Sequence, residues 1–369
     1  MNDIEAVVPQ LLAQGLLALR NFNMMPMVVN TDYSSEFAEK GDTVDIPAPG
    51  PVAVRDVNPG PVPPGAPADD ATKIQLPLDQ WKEAPFYMTD RDMQAVMNGY
   101  IPRKATYAIS SLVDTVNAHI LRVAALGIPT AIGTAGTTPF GGDVTIATGA
   151  RRELNKQKAP AAERFSVLDP DAAASALNQR AFQDVSWSAN PAAIMDGDIE
   201  RKFGIRWLED QQVFTATRGG GAVAAVVNAH NAGVSSLTVD GAGAAGIRAG
   251  VAFTIAGDMQ PYTATRDIAG GAVTINPPLQ QPAADNAVIT IAETTVHNVA
   301  FSRDCIAFAS RPLLAEDGLG STIMAETDPV TGLTLRLEVS RQHKQTEWSF
   351  DLLYGCIIQR PELGVRILG

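Results

Sequence analysis

The residues with the clearest chemical spacing are Gly241-Ala242-Gly243-Ala244-Ala245-Gly246, a literal G-x-G-x-x-G. Such a loop cradles a pyrophosphate only where it follows a strand and opens a helix whose N-terminus receives the charge. A strand can be written over Leu237–Val239, but Arg248–Ile255 alternates as a second strand and contains Gly250, so no helix can be written there. The spacing therefore predicts a hairpin turn at Asp240-Gly241 and no dinucleotide site. The four histidines, His119, His230, His297 and His343, stand far apart, with none of the helical spacings that pair two imidazoles on a metal. Asp169-Pro170-Asp171 and Asp196-Gly197-Asp198 begin like calcium loops but lack the later ligands and the closing Glu, and read as helix caps and turns. Ser166, Ser310 and Ser321 sit in no G-x-S-x-G elbow. Cys305 and Cys356 have no base near them in sequence and lie in apolar segments, and two cysteines cannot build a zinc motif or a disulfide framework. No catalytic residue, cofactor or metal is expected, and the chain reads as a non-enzyme.

Composition points the same way. The 369 residues are 46% hydrophobic and 18% charged, enough apolar material for a sizeable core and against disorder throughout. Forty acids against 28 Lys and Arg give a formal charge of −12, the wrong sign for a nucleic-acid-binding footprint. The one basic cluster, Arg151, Arg152, Lys156 and Lys158, is expected on a solvated helix face, with a nucleic-acid-facing or subunit-facing patch as the alternative. Met24, Met25 and Met27 read as adaptable packing. The N-terminus lacks the pattern of a secretory signal, and no apolar run is long enough to span a membrane, so a soluble protein made in a reducing cytoplasm is expected.

The elements around these residues are unevenly legible. Ile4, Val7, Val8, Leu11, Leu12, Leu16 and Leu19 recur at helical spacing. Thr43–Ile46 alternates as a strand. From Pro47 to Pro67 eight of 21 residues are proline, which excludes helix. Ile74, Leu76 and Leu78 then alternate with polar residues, so residues 47–88 are expected to form a long hairpin-like loop with its tip near 58–68. Thr89-Asp90-Arg91-Asp92 reads as a helix cap. A helix of about 25 residues follows Pro102, with Ala105, Ile109, Leu112, Val113, Val116, Ile120 and Val123 on one face and Gly127 and Pro129 as its stop. Residues 128–150 read as turn-prone. Helical patterns are expected at Arg151–Asn155 and Pro170–Gln179, and an extended segment at Phe203–Trp207. Between Thr217 and Glu293 the chain has no Lys, Trp or Cys, and 17 of the 32 residues from Gly219 to Gly250 are Gly or Ala. Alternating pairs at Leu237/Val239, Val251/Phe253/Ile255, Val273/Ile275 and Ile289/Ile291 predict a small inserted all-β unit. A terminal hairpin joins Leu333–Val339 to Thr346–Tyr354, and its apolar face needs a covering neighbour.

Several segments, in this order, carry a resemblance. They are Lys40–Ile46, Leu76–Gln80 with Phe86–Asp90, Leu112-Val113-Asp114, Gly197–Ile199 with Phe203–Ile205, and Phe253–Gly257. Asn298–Phe301, Arg311–Leu313, and Leu352–Gly355 before Arg360–Leu363 complete the set. Together they resemble the tailed-phage major capsid proteins of the HK97 fold, most closely the P22-like coat protein family. The resemblance implies an α+β fold with an N-terminal arm (1–45), an E-loop (46–88) and a P-domain with a long spine helix (89–130). An A-domain in two parts (131–216 and 294–332) would flank an inserted β-barrel-like I-domain (217–293), and the C-terminal strands (333–369) would close the chain.

The function it implies is that of a coat protein building the icosahedral shell around the double-stranded DNA of a tailed bacteriophage. Copies would associate as hexamers and pentamers, in a virion assembled in the bacterial host cytoplasm. Because little chain precedes the first helix, a separate scaffolding protein is expected, alongside a portal protein and non-specific contact with DNA, and no membrane. The E-loop would lie across a neighbouring subunit, with Val52, Val54, Arg55, Ile74, Leu76, Leu78 and Trp81 as contact residues. An encapsulin-like shell, a β-rich surface-binding protein and, on the glycine motif alone, a nucleotide-dependent enzyme are the alternatives.

Overall fold

A computed structural model describes residues 9, 11–13, 15–17, 24–33, 43–48, 72–91, 103–183, 197, 199, 201–220, 222, 224–241, 243–311, 313, 321–328 and 331–369. The central element is the helix α2 (Arg103–Gly127); a four-residue turn of helix, α1 (Met25–Val28), precedes it. The apolar stripe read from the sequence is the face it buries: Ala105, Ile109, Leu112, Val113, Val116 and Ile120 are all in the core. At 25 residues it extends about 37 Å. Gly127 ends it where a Cβ would strike the Ile358 side chain.

One sheet rests on this helix. Strand β19 (Gln345–Ile358) pairs along its first half with β18 (Thr334–Arg341) and, on its other side, with β3 (Gln80–Thr89); its last residues pair with β16 (Ile306–Ser310). Strand β17 (Ser321–Thr327) forms the edge beyond β18. The register puts Phe86, Met88, Leu337, Val339, Trp348 and Phe350 on one face, all buried, with α2 packed against β3 and β19. Leu11, Leu12 and Leu16 of the N-terminal helical segment join the same core, and a Cβ at Gly15 would press on Ile109 and Leu335. The apolar face of the terminal hairpin thus finds its neighbour within the chain.

Strand β3 departs from the sequence reading, which carried the loop to residue 88. Residues 80–89 are paired with β19 over their whole length. Trp81, Lys82 and Glu83 hide the strand signal, because apolar alternation begins only at Ala84. The hairpin expected over this stretch is present at its base, where β1 (Thr43–Ala48) and β2 (Thr72–Pro77) pair antiparallel with Ala48 opposite Thr72. Residues 49–71, and Asp92 of the capping signature, lie outside the described residues.

A second sheet has the order β4 (Ala131–Gly133), β20 (Gly364–Leu368), β15 (Thr294–Ser302), β5 (Arg164–Leu168), β7 (Ile205–Glu209), β6 (Arg201–Lys202), with β8 (Thr215–Thr217) pairing the start of β15. Against it lie α3 (Thr145–Lys156) and α4 (Pro170–Leu177). Helix α3 begins inside the stretch read as turn-prone: Asp143 accepts from the Thr145 N–H at 2.9 Å, and Ala147, Ala150 and Leu154 seat one face. Asp169 caps α4, as its D-P-D context suggested. Phe203–Trp207 is not one extended segment. Phe203 (φ 54°) and Gly204 (φ 78°) turn β6 into β7.

The inserted unit is a closed barrel of six strands: β9 (Ala224–Val227), β10 (Ser236–Asp240), β11 (Ala252–Ile255), β12 (Tyr262–Ala264), β13 (Ala272–Asn276) and β14 (Ala287–Ile291). Neighbours run β10-β13-β12-β11-β14-β9 and close back on β10. It has its own core, in which Leu237, Val239, Phe253, Ile255, Val273, Ile275, Ile289 and Ile291 point inward.

Candidate assembly surface

One apolar side of the β1–β2 hairpin seats it on the first sheet. Val44 faces Leu76 and Ile46 faces Ile74 across the ladder. This apolar side, with Leu78, lies on Ala307 and Ala309 of β16 and Leu353 of β19, on the sheet face opposite α2. The seat depends on small residues. At Gly355 a Cβ would overlap the Pro77 carbonyl, so the hairpin backbone rests directly on the β19 backbone. Each large apolar side chain buried in such a seat contributes on the order of 2 kcal/mol. The solvent side of the hairpin is polar, with Lys73 3.5 Å from Asp45.

This arrangement changes the expected contact set. Leu76 (0% exposed) and Leu78 (7%) belong to the chain's own core, because the sheet beneath them has already removed their surface from water. They have nothing left to offer a neighbour. Ile74 is half-buried at the rim of the seat. Trp81 is 61% exposed; its Nε1–H donates to Asp351 Oδ2 at 2.9 Å and its ring lies 6.0 Å from the Arg336 guanidinium. Val52, Val54 and Arg55 lie outside the described residues.

Beyond the hairpin, the same sheet face is acidic, and among the described residues Trp81, Glu83 and Tyr87 are exposed on it. Glu83, Glu338, Glu347 and Asp351 share it with Arg336, since Glu83 opposes Asp351, Arg336 opposes Asp351, and Glu338 opposes Ser349. Arg336 is clamped on Asp351 by two hydrogen bonds of 2.8 and 2.5 Å, which hold its pKa above the ordinary value. Tyr87 donates to Glu347 at 3.1 Å, and that hydrogen bond to a carboxylate raises the phenol's pKa. The alternation of Arg336 and Glu338 with leucines was visible in the sequence; the register that adds Glu83, Glu347 and Asp351 was not.

The barrel is fixed to the body at a polar joint. Arg366, fully buried on β20, donates to Thr263 Oγ1 (2.6 Å), Ala125 O (3.2 Å), Asn276 O (3.3 Å) and Pro129 O (3.4 Å). These groups belong to barrel strands and to the C-terminal end of α2, where free carbonyls favour a cation. Burial pushes this guanidinium down to about 10. Asn276 Nδ2 adds a bond to Leu126 O at 2.8 Å. His297, buried on β15, meets the Gly250 carbonyl at 2.6 Å through Nε2, so Nε2 carries the proton of a neutral ring. Burial first, and Arg366 second, hold its pKa down at about 3.

The other sequence candidates resolve into structure. After β10 the chain passes Gly241 (φ 96°) into a 3-10 turn at Ala244–Gly246, whose Gly246 carbonyl accepts from Gly219 N at 2.9 Å. No helix opens there, as expected. The anticipated hairpin at Asp240-Gly241 is not formed, because β10 pairs β13 and β9 instead of β11. Burial pushes the thiols of Cys305 and Cys356 up, toward the neutral thiol form. Among the described residues no group of three or more His, Cys, Asp or Glu is placed to hold a metal ion, and no helix is long and apolar enough to cross a membrane.

No family model matches the chain. No curated protein matches it either. Among solved structures, it is similar to one from Mycobacterium phage Che8, with a TM-score of 0.53 and 16% identity over 94% of this chain and 90% of that one. A capsid structure of the cyanophage P-SCSP1u follows at 0.49, with 12% identity over 89% and 83% of the two chains. The asymmetric unit of the bacteriophage PhiM1 mature capsid is at 0.44, with 11% identity over 91% and 83%. At these identities the likeness to the Che8 chain is one of fold.

Proposed function

We propose that this chain is a major capsid protein that self-assembles into the icosahedral shell around the double-stranded DNA of a tailed bacteriophage. The observation that carries the reading is a fold shared with the phage Che8 chain over nearly the whole length, in which the β1–β2 hairpin is seated on a sheet and its two strands are joined in sequence by the Pro-rich residues 49–71. In this reading the first sheet and α2 form the P-domain, which takes in β16 and β17 from the 294–332 stretch expected in the A-domain; the second sheet with α3 and α4 forms the A-domain, and the barrel is the I-domain of a P22-like coat protein. Residues 49–71 lie across a neighbouring copy. Val52, Val54 and Arg55, with the exposed Trp81 and the rim of Ile74, make the contact, while Leu76 and Leu78 hold the loop's root. The prolines lower the entropy lost on docking. Hexamers and pentamers, a separate scaffolding protein, a portal protein, loosely held DNA and assembly in the host cytoplasm complete the proposal.

The experiment exploits the register. Because Ala48 and Thr72 are direct partners, residues 49–71 can be replaced by an Asn-Gly turn without disturbing the root. The shortened chain is expected to fold with unchanged stability and to yield no shells by electron microscopy and sedimentation, under conditions where the full chain assembles. Intact particles from the shortened chain would overturn the loop's role.

A further inference from the structure

The acidic part of the first sheet's outer face and the basic helix α3 are complementary in charge. On the face, Glu83, Glu338, Glu347 and Asp351 stand against one cation, Arg336, a formal −3. The exposed rings of Trp81 and Tyr87 flank it. On α3 and the turn after it, Arg151, Arg152, Lys156 and Lys158 stand against Glu153, a formal +3, and all four cations are exposed. Glu153 holds Arg152 at 2.9 Å and Lys156 at 3.0 Å, which fixes both side chains on one side of the helix. Ala147, Ala150 and Leu154 fasten the opposite side to the body, so the charged surface is presented on a rigid element.

The two patches belong to different sheets, and among the described residues no ion pair joins them. In a chain of net charge −12, four exposed cations within eight residues concentrate the positive surface in one place. Like charges would keep much of one copy's surface away from this sheet face, and α3, with four exposed cations among the described residues, has the sign that fits it. A contact between two unlike patches of identical chains is head-to-tail, the kind that propagates around a ring or closed shell.

We propose that the acidic, aromatic-flanked half of this sheet face is the docking surface for helix α3 of a neighbouring copy. The proposal rests on the capsid reading above and names one of its subunit contacts. Arg336, locked on Asp351 beside Trp81, supplies a flat, rigid floor. Glu83, Glu338 and Glu347 are the carboxylates that meet the incoming cations.

The test is charge reversal with rescue, read by sedimentation velocity of purified subunits and by electron microscopy of particles. One variant carries Glu338→Lys with Glu347→Lys, a second carries Arg151→Glu with Arg152→Glu, and a third carries all four. These positions are at the surface, and circular dichroism checks that the fold is kept. Each reversed pair alone is expected to weaken subunit association about tenfold or more, and the four-fold variant to recover it to within a few-fold. Wild-type association should weaken as salt rises from about 0.1 M to several times that value. Single reversals that associate like wild type, or a combined variant as defective as its parents, overturn the contact. So does a helix reversal that changes only retention of DNA. Wild-type subunits that associate with this charge signature without closing into shells would leave the contact standing and overturn the capsid reading. Shells formed equally by every variant would do the reverse, and a strictly monomeric wild type would overturn both.

Discussion

At the scale of single residues, Gly355 bears directly on where the loop is held. It sits in regular strand, so its role is not conformational freedom; the hairpin backbone occupies the place of its missing side chain. Substituting Ala must lift Pro77 and loosen Leu76 and Leu78, a local overpacking that costs about 1–3 kcal/mol. Gly355→Ala is therefore expected to lower the urea midpoint by a corresponding amount and to accelerate proteolysis within residues 43–78, while the α2 side of the sheet stays protected. An unchanged midpoint and cleavage pattern would mean that the hairpin is not seated as described. Leu76 and Leu78 carry the related lesson. Their alternation was legible as a strand with one apolar face, but which sheet covers that face is fixed by Ala307, Ala309, Leu353 and Gly355, all more than 225 positions away. Local pattern gives a face, and only the tertiary fold says whose surface it meets.

At the scale of elements, the joint between barrel and body has a pH dependence of its own. His297 is held neutral in the folded chain at a pKa of about 3, whereas the unfolded chain takes up a proton near 6.5. Its contribution to stability is therefore complete above about pH 6.5 and is lost as pH falls toward 3, at up to about 1.4 kcal/mol per pH unit. Of the groups facing it, Arg366 opposes a second cation, while the Gly250 carbonyl favours the protonated ring and is outweighed by burial. His297→Asn should make unfolding free energy fall less steeply between pH 6 and 4 than in the wild type, by close to one proton. Identical slopes from urea titrations across that range would refute the assignment. The barrel also shows how far elements could be read. Four strands announced themselves through Val, Ile, Leu and Phe at period two. Strand β9 begins Ala224-Ala225, and the three-residue β12 follows a loop, so neither had enough apolar alternation to register. That the GxGxxG match does not lead from strand into α-helix was legible, because no helix could be written after it, and a 3-10 turn stands there.

At the scale of the whole molecule, the charge distribution gives the composition a meaning it lacked as a sum. In the capsid reading, a formal −12 on every copy would give the shell an average surface that repels phosphate. The basic cluster on α3 is the feature that could reverse that locally. If it is consumed by an acidic face of the next copy, the assembled shell keeps its repulsive character while gaining an attractive subunit contact. Cohesion between copies and indifference to DNA then come from the same arrangement of charge. The expected outcome is weak binding of double-stranded DNA to assembled shells at about 0.1 M salt, with little change on raising it, because few phosphates are neutralised and few counterions released. Dissociated subunits, with α3 uncovered, should bind DNA more strongly than shells do at the same protein concentration. Gel-shift titrations of both forms across a salt series check this. A shell that binds DNA tightly with a steep salt slope, or one that binds it no less than free subunits do, would show that α3 faces the genome instead of a neighbouring copy.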